Sequence, residues 1–410
     1  MVIPGRKQAG RLQKGAPRPL LQAMVIVMNG KTSQAQTKIG DGARRGGKTP
    51  SAMKSTTTSR SCRSARLDRA ATHARLVTRI ARARARGRPH TLSHLVTVRC
   101  NGRCRTCLWR DPGLAELETG TVTWLYDESG RAGLAQLVVW GGEPLLRQDL
   151  PELLLAARRA GLFTTLITNG WFLGERWREL RGRVDALILS LDEVGSAHDT
   201  LRGLPGLFER LEGFVATVRD DPLRPTLLVN TVLSRLNRGA LERVAPVAAR
   251  WSAGLYFCPM ETGLATSSGI EAPLRGLALP AEELRAAART AAALKSAGFP
   301  ILASRPYLDL LTRDPDLRDY TCRAPRARLT VDADGRLRNC TRLDRPLADV
   351  RELHAAGEHL SRVFDLPGYQ RMLERSATCT KCNNPDVIEL SWLWDLRPAM
   401  LRKVAELTSL

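Results

Sequence analysis

Leu95-Val-Thr-Val-Arg-Cys100-Asn-Gly-Arg-Cys104-Arg-Thr-Cys107 joins an apolar run to three thiols within eight residues. The run predicts a strand over about 94–99, and the thiols begin where it ends. Three residues separate the first pair of cysteines and two separate the second. A chain with only nine cysteines does not place three so closely by chance. Three close thiolates can hold an iron–sulfur cluster and leave one iron without a protein ligand. A structural metal site is instead closed by four ligands, whereas a reactive one keeps a position open.

Working outward, the same unit repeats. Further strands are expected at Ala135–Trp140, Phe163–Thr168, Val184–Leu191, Pro225–Leu233 and Gly254–Cys258. Helices are expected between them, near 120–129 with Thr119 or Thr121 as cap, then 149–159, 174–182, 205–219 and 237–251. Asp149 is the expected cap of the second of these, with Pro151 in its first turn. Most of the strands are uninterrupted apolar runs, which predicts a parallel sheet covered by helices. No dinucleotide glycine fingerprint follows the first strand, so the expected fold class is α/β, a partial (β/α)6 TIM-like barrel. In barrels the chemistry sits at the C-terminal ends of the strands. The polar or unusual residues collect there: Cys100, Gly141-Gly142-Glu143-Pro144, Thr168-Asn169, Ser190 and Asp192, Asn230, and Cys258.

The formal charge of the 410-residue chain is +22, which by itself suggests a nucleic-acid partner. Residues 1–90 hold 21 Lys or Arg against two acids, a net of +19, whereas residues 91–410 hold 42 against 39, a net of +3. The charge therefore describes a basic segment without aromatic interleaving, and a nucleic-acid partner is not expected. Residues 1–90 show no sustained period and read as a disordered tail, a transit-like segment or a mis-assigned start. No run reaches the 18 apolar residues that a membrane span needs. The cysteine spacings are of metal type, not a secreted disulfide framework, so a reducing cytoplasm is the expected setting.

Beyond 262 the pattern changes. Residues 263–319 read as a linker with an Ala-rich helix from Pro280 to Lys295, and residues 320–410 as a small cysteine-bearing α+β appendage. Arg328–Arg338 predicts a hairpin turning at Asp334-Gly335, between Cys322 and Cys340. Cys379 and Cys382 follow a helix near 367–375, and Trp392, Trp394 and Leu396 are expected to pack a final helix back onto this part. By spacing alone, Cys322, Cys340, Cys379 and Cys382 would suit a structural zinc.

Cys100-x3-Cys104-x2-Cys107 after the first strand, Gly141-Gly142-Glu143-Pro144 after the second and Ser190-Leu191-Asp192 after the fourth resemble the radical S-adenosylmethionine (SAM) superfamily, over about residues 94–260. The resemblance implies that Cys100, Cys104 and Cys107 hold a [4Fe–4S] cluster whose fourth iron binds SAM. One-electron cleavage then yields a 5′-deoxyadenosyl radical that abstracts hydrogen from substrate. It also implies that Gly141 and Gly142 let the backbone approach SAM and that Glu143 accepts from its ammonium. Thr168, Asn169, Ser190, Asp192 and Asn230 would be further SAM contacts. Asp192 and Arg202 could face either SAM or substrate, whereas His198 reads as a surface residue. Relatives usually carry an aromatic residue where Thr106 stands, a gap that Trp109 can fill.

Cys322, Gly335, Cys340 and the Cys379/Cys382 pair resemble the twitch or shortened SPASM extension, which implies a second, fully ligated auxiliary [4Fe–4S] cluster. Relatives with such extensions act on peptides or small molecules. The expected partners are therefore a peptide or small-molecule substrate and a reducing protein such as flavodoxin or ferredoxin. Peptide or protein maturation comes first, small-molecule dehydrogenation or cofactor biosynthesis second. A non-enzymatic zinc protein touching nucleic acid through its basic arm is the reading from another class.

Overall fold

The computed structural model describes residues 57–107, 109, 114–260, 274–314, 319–338, 340 and 346–408. Six strands run parallel in chain order: β1 (Thr91–Thr97), β2 (Gln136–Gly141), β3 (Phe163–Thr168), β4 (Ala186–Ser190), β5 (Thr226–Leu233) and β6 (Gly254–Pro259). Each pairs with its sequence neighbours, in registers such as Ser190 opposite Asn230. Helices cross between them: α2 (Thr119–Arg131), α3 (Leu150–Arg159), α4 (Leu173–Leu180), α5 (Ser196–Arg202), α6 (Leu207–Val218) and α7 (Ala240–Arg250). β1 is buried throughout, which is why its sequence does not alternate, whereas β2, β4 and β6 alternate buried with partly exposed residues. The sheet is curved but not closed on itself, and this is the expected partial TIM-like barrel.

The sheet does not stop at β1. Strand β7 (Arg328–Val331) adds parallel to β1, placing Leu92 opposite Leu329, and β8 (Arg336–Arg338) and β9 (Ala348–Asp349) follow antiparallel. The hairpin turns where expected, with Gly335 at φ 88°. Strands β7, β8 and β9 of the expected appendage are thus hydrogen-bonded into the barrel sheet. Sequence patterning marks strands but not their long-range partners, so the continuity was not visible. Helix α8 (Ala281–Ser296) matches its expected position; α9 (Arg305–Arg313) was not foreseen. The expected loop at 261–273 lies outside the described residues.

The basic segment also departs from expectation, because α1 spans Thr57–Ala85. Only a short apolar stripe, Leu76, Val77, Ile80 and Ala83, interrupts an otherwise polar and basic helix sequence. Leu76 packs with Phe163, Ala186 and Leu228, and the His73 ring lies 5.6 Å from that of Phe163. The Arg79 guanidinium donates to the carbonyls of Gly161 (2.8 Å) and Leu134 (2.5 Å), at the ends of α3 and α2 where carbonyls lack helical partners. These contacts set α1 at the end of the sheet where β3 begins, opposite the cysteine loop. Among the described residues no helix is long and apolar enough to cross a membrane.

Other differences are local. Glu118, not a threonine, precedes α2, and Thr119 instead donates to Asp149. Asp149 precedes α3 without capping it, because its carboxylate is taken by Arg147 and Thr119. The helix expected at 205–219 is α6, and a short α5 that was not foreseen precedes it, the two separated at Gly203-Leu-Pro-Gly206. The C-terminal helices α10 (Ala324–Ala327), α11 (Val350–Ala355), α12 (Pro367–Ser376), α13 (Pro385–Trp394) and α14 (Pro398–Thr408) complete the described chain. Trp392 is buried as expected, whereas Trp394 stacks on His90 beside β1.

Candidate active site at the strand ends

The cysteine loop leaves β1 at the C-terminal edge of the sheet and is fastened from two sides. On one side, Gly142 N–H donates to Thr97 O (2.7 Å) and Glu143 N–H to Arg99 O (2.8 Å). On the other, Arg103 N–H donates to Arg202 O (2.9 Å) and Arg105 N–H to Leu201 O (3.3 Å). The latter carbonyls end α5, where helical partners run out, and Gly203 (φ 62°) turns the chain away. The Arg202-Gly203 pair is thus a helix terminus that docks the loop. A seven-residue helix carries too little periodicity to be read from sequence.

Gly141 and Gly142 also serve packing within the protein. A Cβ on Gly141 would lie 2.2 Å from Thr97 O, and one on Gly142 would lie 2.2 Å from Arg99 O. These glycines let β2 approach the backbone that carries Cys100.

Glu143 is fully buried. Its Oε1 accepts from Leu145 N–H (3.0 Å) and Thr168 Oγ1 (2.7 Å), and its Oε2 from Asn169 N–H (2.8 Å). Burial raises its pKa above the usual carboxylate range, against the pull of those three donors. The carboxylate therefore ties the end of β2 to the end of β3 and presents no exposed surface to an ammonium. Asn169 continues the chain of contacts: its Nδ2 donates to Asn101 Oδ1 (2.9 Å), inside the cysteine loop. Thr168 and Asn169 act through Glu143 and Asn101. The Asn101 contact was not anticipated, and nothing in the sequence marks it.

The second thiol faces a buried ion pair. Arg202 Nε lies 2.8 Å from Asp192 Oδ2, and Arg202 Nη1 lies 3.7 Å from Cys104 Sγ. Burial opposes the guanidinium charge, but the Asp192 carboxylate and the neighbouring thiols outweigh it and hold its pKa above the ordinary value. Asp192 Oδ1 also accepts from Val232 N–H (2.9 Å). His198, expected at the surface, is fully buried, and its Nδ1 accepts from Asp192 N–H (3.2 Å). Burial, helped by Arg202, pushes its pKa down to about 3, so the ring is neutral. It was misread because α5, which carries it inward, was not recognised.

Cys100, Cys104 and Cys107 are thiols outside any disulfide and are partly exposed. The Cys100 thiol is pushed up to about 11, first by burial, with Glu143, Cys104 and Cys107 adding and the Gly102 N–H (3.3 Å) opposing. The three thiols thus share one field beside a buried cation. Among the described residues no three His, Cys, Asp or Glu side chains are gathered as around a single ion. Soft thiols on one anchored loop, partly open to the barrel mouth, fit a group that takes three thiolates and keeps an open position. Trp109 packs edge-on against Trp140 (centroids 4.9 Å apart), whose indole N–H donates to Ser93 (2.9 Å).

Ser190 and Asn230 stand side by side in register at the ends of β4 and β5, both half-buried. Cys258 Sγ lies 3.3 Å from Asn230 Oδ1 and 3.5 Å from Asn384 Oδ1. Asn384 follows Cys382 by two residues, so a polar contact links the strand ends to the second thiol group. Sequence reasoning missed Asn384, whose place is set by tertiary packing alone.

That second group assembles from distant segments. Cys322 is buried in the main core, and burial pushes its thiol up to about 11, with Cys379 and Cys340 adding. Tyr320 OH accepts from Cys382 N–H (3.0 Å), and Cys379 and Cys382 pack against the same core. The four thiols are thus brought into one neighbourhood.

Residues 94–245 match the family model described as the Radical SAM superfamily. Among curated proteins, a PqqA peptide cyclase of Gluconobacter oxydans is 33% identical over 172 residues, covering 40% of this chain and 48% of that protein. An AdoMet-dependent heme synthase of Methanosarcina barkeri is 31% identical over 176 residues, covering 41% and 49%. The chain thus spans about half the length of these relatives. Among solved structures, Streptococcus suis SuiB bound to precursor peptide SuiA superposes with a TM-score of 0.55 at 14% identity, covering 76% of this chain and 74% of that one. The protein anSMEcpe with bound AdoMet superposes with a TM-score of 0.54 at 14% identity, covering 77% and 96%. These two likenesses concern the fold.

Proposed function

We propose that this protein is a radical SAM enzyme that modifies a peptide, with Cys100, Cys104 and Cys107 as ligands of a SAM-binding [4Fe–4S] cluster. The observation that carries the reading is the cysteine loop, held at the C-terminal edge of a parallel sheet by β2 on one side and α5 on the other. With SAM, such a cluster supplies one-electron bond cleavage and a hydrogen-abstracting carbon radical. The chain's own part is positional. Gly141 and Gly142 admit the loop against β2, Glu143 and Asn169 brace it from β3, and Arg202 sets a fixed positive charge beside Cys104. Ser190 and Asn230 offer half-buried polar groups at the mouth, suited to contact SAM or substrate. Cys322, Cys340, Cys379 and Cys382 would ligate an auxiliary cluster, closed to SAM because every iron has a protein ligand.

A peptide substrate is supported by the names of the curated relatives and by the likeness to SuiB. The deciding experiment is anaerobic reconstitution, iron and sulfide analysis, then reduction with SAM present. About eight irons per chain and formation of 5′-deoxyadenosine are expected. An iron-free zinc protein that yields no 5′-deoxyadenosine would refute the reading. Loss of a hydrogen mass from a peptide substrate, traced by deuterium transfer into 5′-deoxyadenosine, tests the substrate class.

A further inference from the structure

The thiols of the cysteine loop already have hydrogen-bond donors. Gly102 N–H lies 3.3 Å from Cys100 Sγ, Trp109 N–H 3.4 Å from Cys107 Sγ, and Arg202 Nη1 3.7 Å from Cys104 Sγ. One more donor in the same loop, Asn101 Nδ2, is buried and has no hydrogen-bond partner among the described residues. The neighbouring bonds fix which end of that amide is left over. Asn169 Oδ1 accepts from Trp171 N–H (2.9 Å), so it is Asn169 Nδ2 that donates to Asn101 Oδ1 (2.9 Å). A flip of either amide would set like groups against each other, so Asn101 Oδ1 is the acceptor and Nδ2 the orphan. Asn169 is itself held through its own N–H on Glu143 Oε2 (2.8 Å), which braces the orientation from β2 and β3. A buried amide N–H without an acceptor is unfavourable, and in a native fold such a group calls for a partner or a function.

We propose that Asn101 Nδ2 donates to a sulfur of the [4Fe–4S] cluster and raises its reduction potential. This rests on the reading of Cys100, Cys104 and Cys107 as the cluster's ligands. Asn101 adjoins the first ligand and lies between the first and the second, so cluster sulfur is the acceptor offered to its short side chain. The leftover group is a donor only, which suits an electron-rich sulfur and excludes a cationic ammonium. Hydrogen bonds to the sulfurs are among the factors that set a cluster's potential. One-electron reduction adds a negative charge to the cluster with no proton or group transferred. A donor to sulfur then binds more strongly, so the reduced form gains more than the oxidised one.

The test uses the reconstituted full-length protein without SAM. Redox titration followed by EPR compares wild type with Asn101→Leu, which keeps the approximate size and removes the donor. Reduction of the variant should be about tenfold less favourable at wild-type iron content, a fall of about 59 mV for one electron. Wild type carrying asparagine labelled with nitrogen-15 at Nδ2 should show coupling of that nitrogen to the reduced cluster by pulsed EPR, and the variant should lack it. A merely structural role would lower the stability of the metal-free protein and move neither signal. An unchanged potential in the variant would overturn the proposal. So would an uncoupled nitrogen in wild type, a measurement that needs no variant and decides the matter if Asn101→Leu loads less iron. An unchanged potential with weakened SAM binding would overturn it too, because the amide would then serve SAM. A wild-type protein that binds no iron would fail the underlying reading first, before any potential is measured.

Discussion

Replacing Gly142 by alanine separates two explanations of the paired glycines. The added Cβ would sit 2.2 Å from Arg99 O, 2.7 Å from Arg99 C and 2.8 Å from Val98 O. None of these is the end of a flexible side chain; all are backbone of the segment entering the cysteine loop. Relief requires that segment to move away from β2, which breaks Gly142 N–H to Thr97 O and Glu143 N–H to Arg99 O. Overpacking in a well-filled interior costs about 1–3 kcal/mol, and each lost hydrogen bond about 1 kcal/mol. The sum is about 3–5 kcal/mol, a large fraction of an ordinary domain's stability. The assay is urea unfolding of the metal-free protein, alongside Gly120→Ala in α2, where a Cβ meets nothing within 4 Å. Gly120→Ala should be neutral or stabilising by up to about 1 kcal/mol. If the glycines served only ligand approach, Gly142→Ala would unfold like wild type without metal and lose only SAM affinity. A midpoint within error of wild type would therefore refute the packing argument.

Three further outcomes are expected. Arg79→Ala removes the bonds to Gly161 O and Leu134 O and should lower stability by about 2–3 kcal/mol in the same assay; an unchanged midpoint would mean that α1 is not anchored through Arg79. Burial holds His90 at about 4 and His94 at about 3, below the unfolded value of 6.5, so the unfolded chain takes up protons first as pH falls. Their contribution is complete above about pH 6.5 and is lost below it, reaching about 3 kcal/mol at pH 5.5; a fall from pH 7 to 5.5 that is about 3 kcal/mol shallower in a His90→Gln/His94→Gln protein than in wild type, the remainder belonging to His198 and His73, checks the assignment. Cys379→Ala should lower bound iron from about eight to about four per chain and leave reductive SAM cleavage intact, and complete loss of cleavage would show that the second thiol group is required for the fold around the first.

The periodic part of the fold was legible because each strand and most helices bury a continuous face within a few residues of sequence. The six barrel strands fall within a few residues of their expected places for that reason. Helices α1 and α5 were not legible: one is mostly polar and basic with a single short apolar stripe, the other is a single short element. His198 was misplaced as a consequence, since burial depends on the element that carries a residue.

By itself, the sequence determined the barrel, the three-thiol loop and the strand-end location of Glu143, Thr168, Asn169, Ser190, Asp192 and Asn230, because side-chain period and ligand spacing are local properties. Only the tertiary structure decided how those residues are used. Glu143 turns to Thr168 and Asn169, Asp192 turns to Arg202, and the glycines admit β1. It also decided that Cys322, Cys379 and Cys382 pack in or against the main core, and that β7, which follows Cys322 in the chain, joins the sheet at β1. The pairing of β7 with β1 and the contact of Cys258 with Asn384 join residues far apart in sequence. Such contacts follow from where the whole chain packs, and no local pattern encodes them.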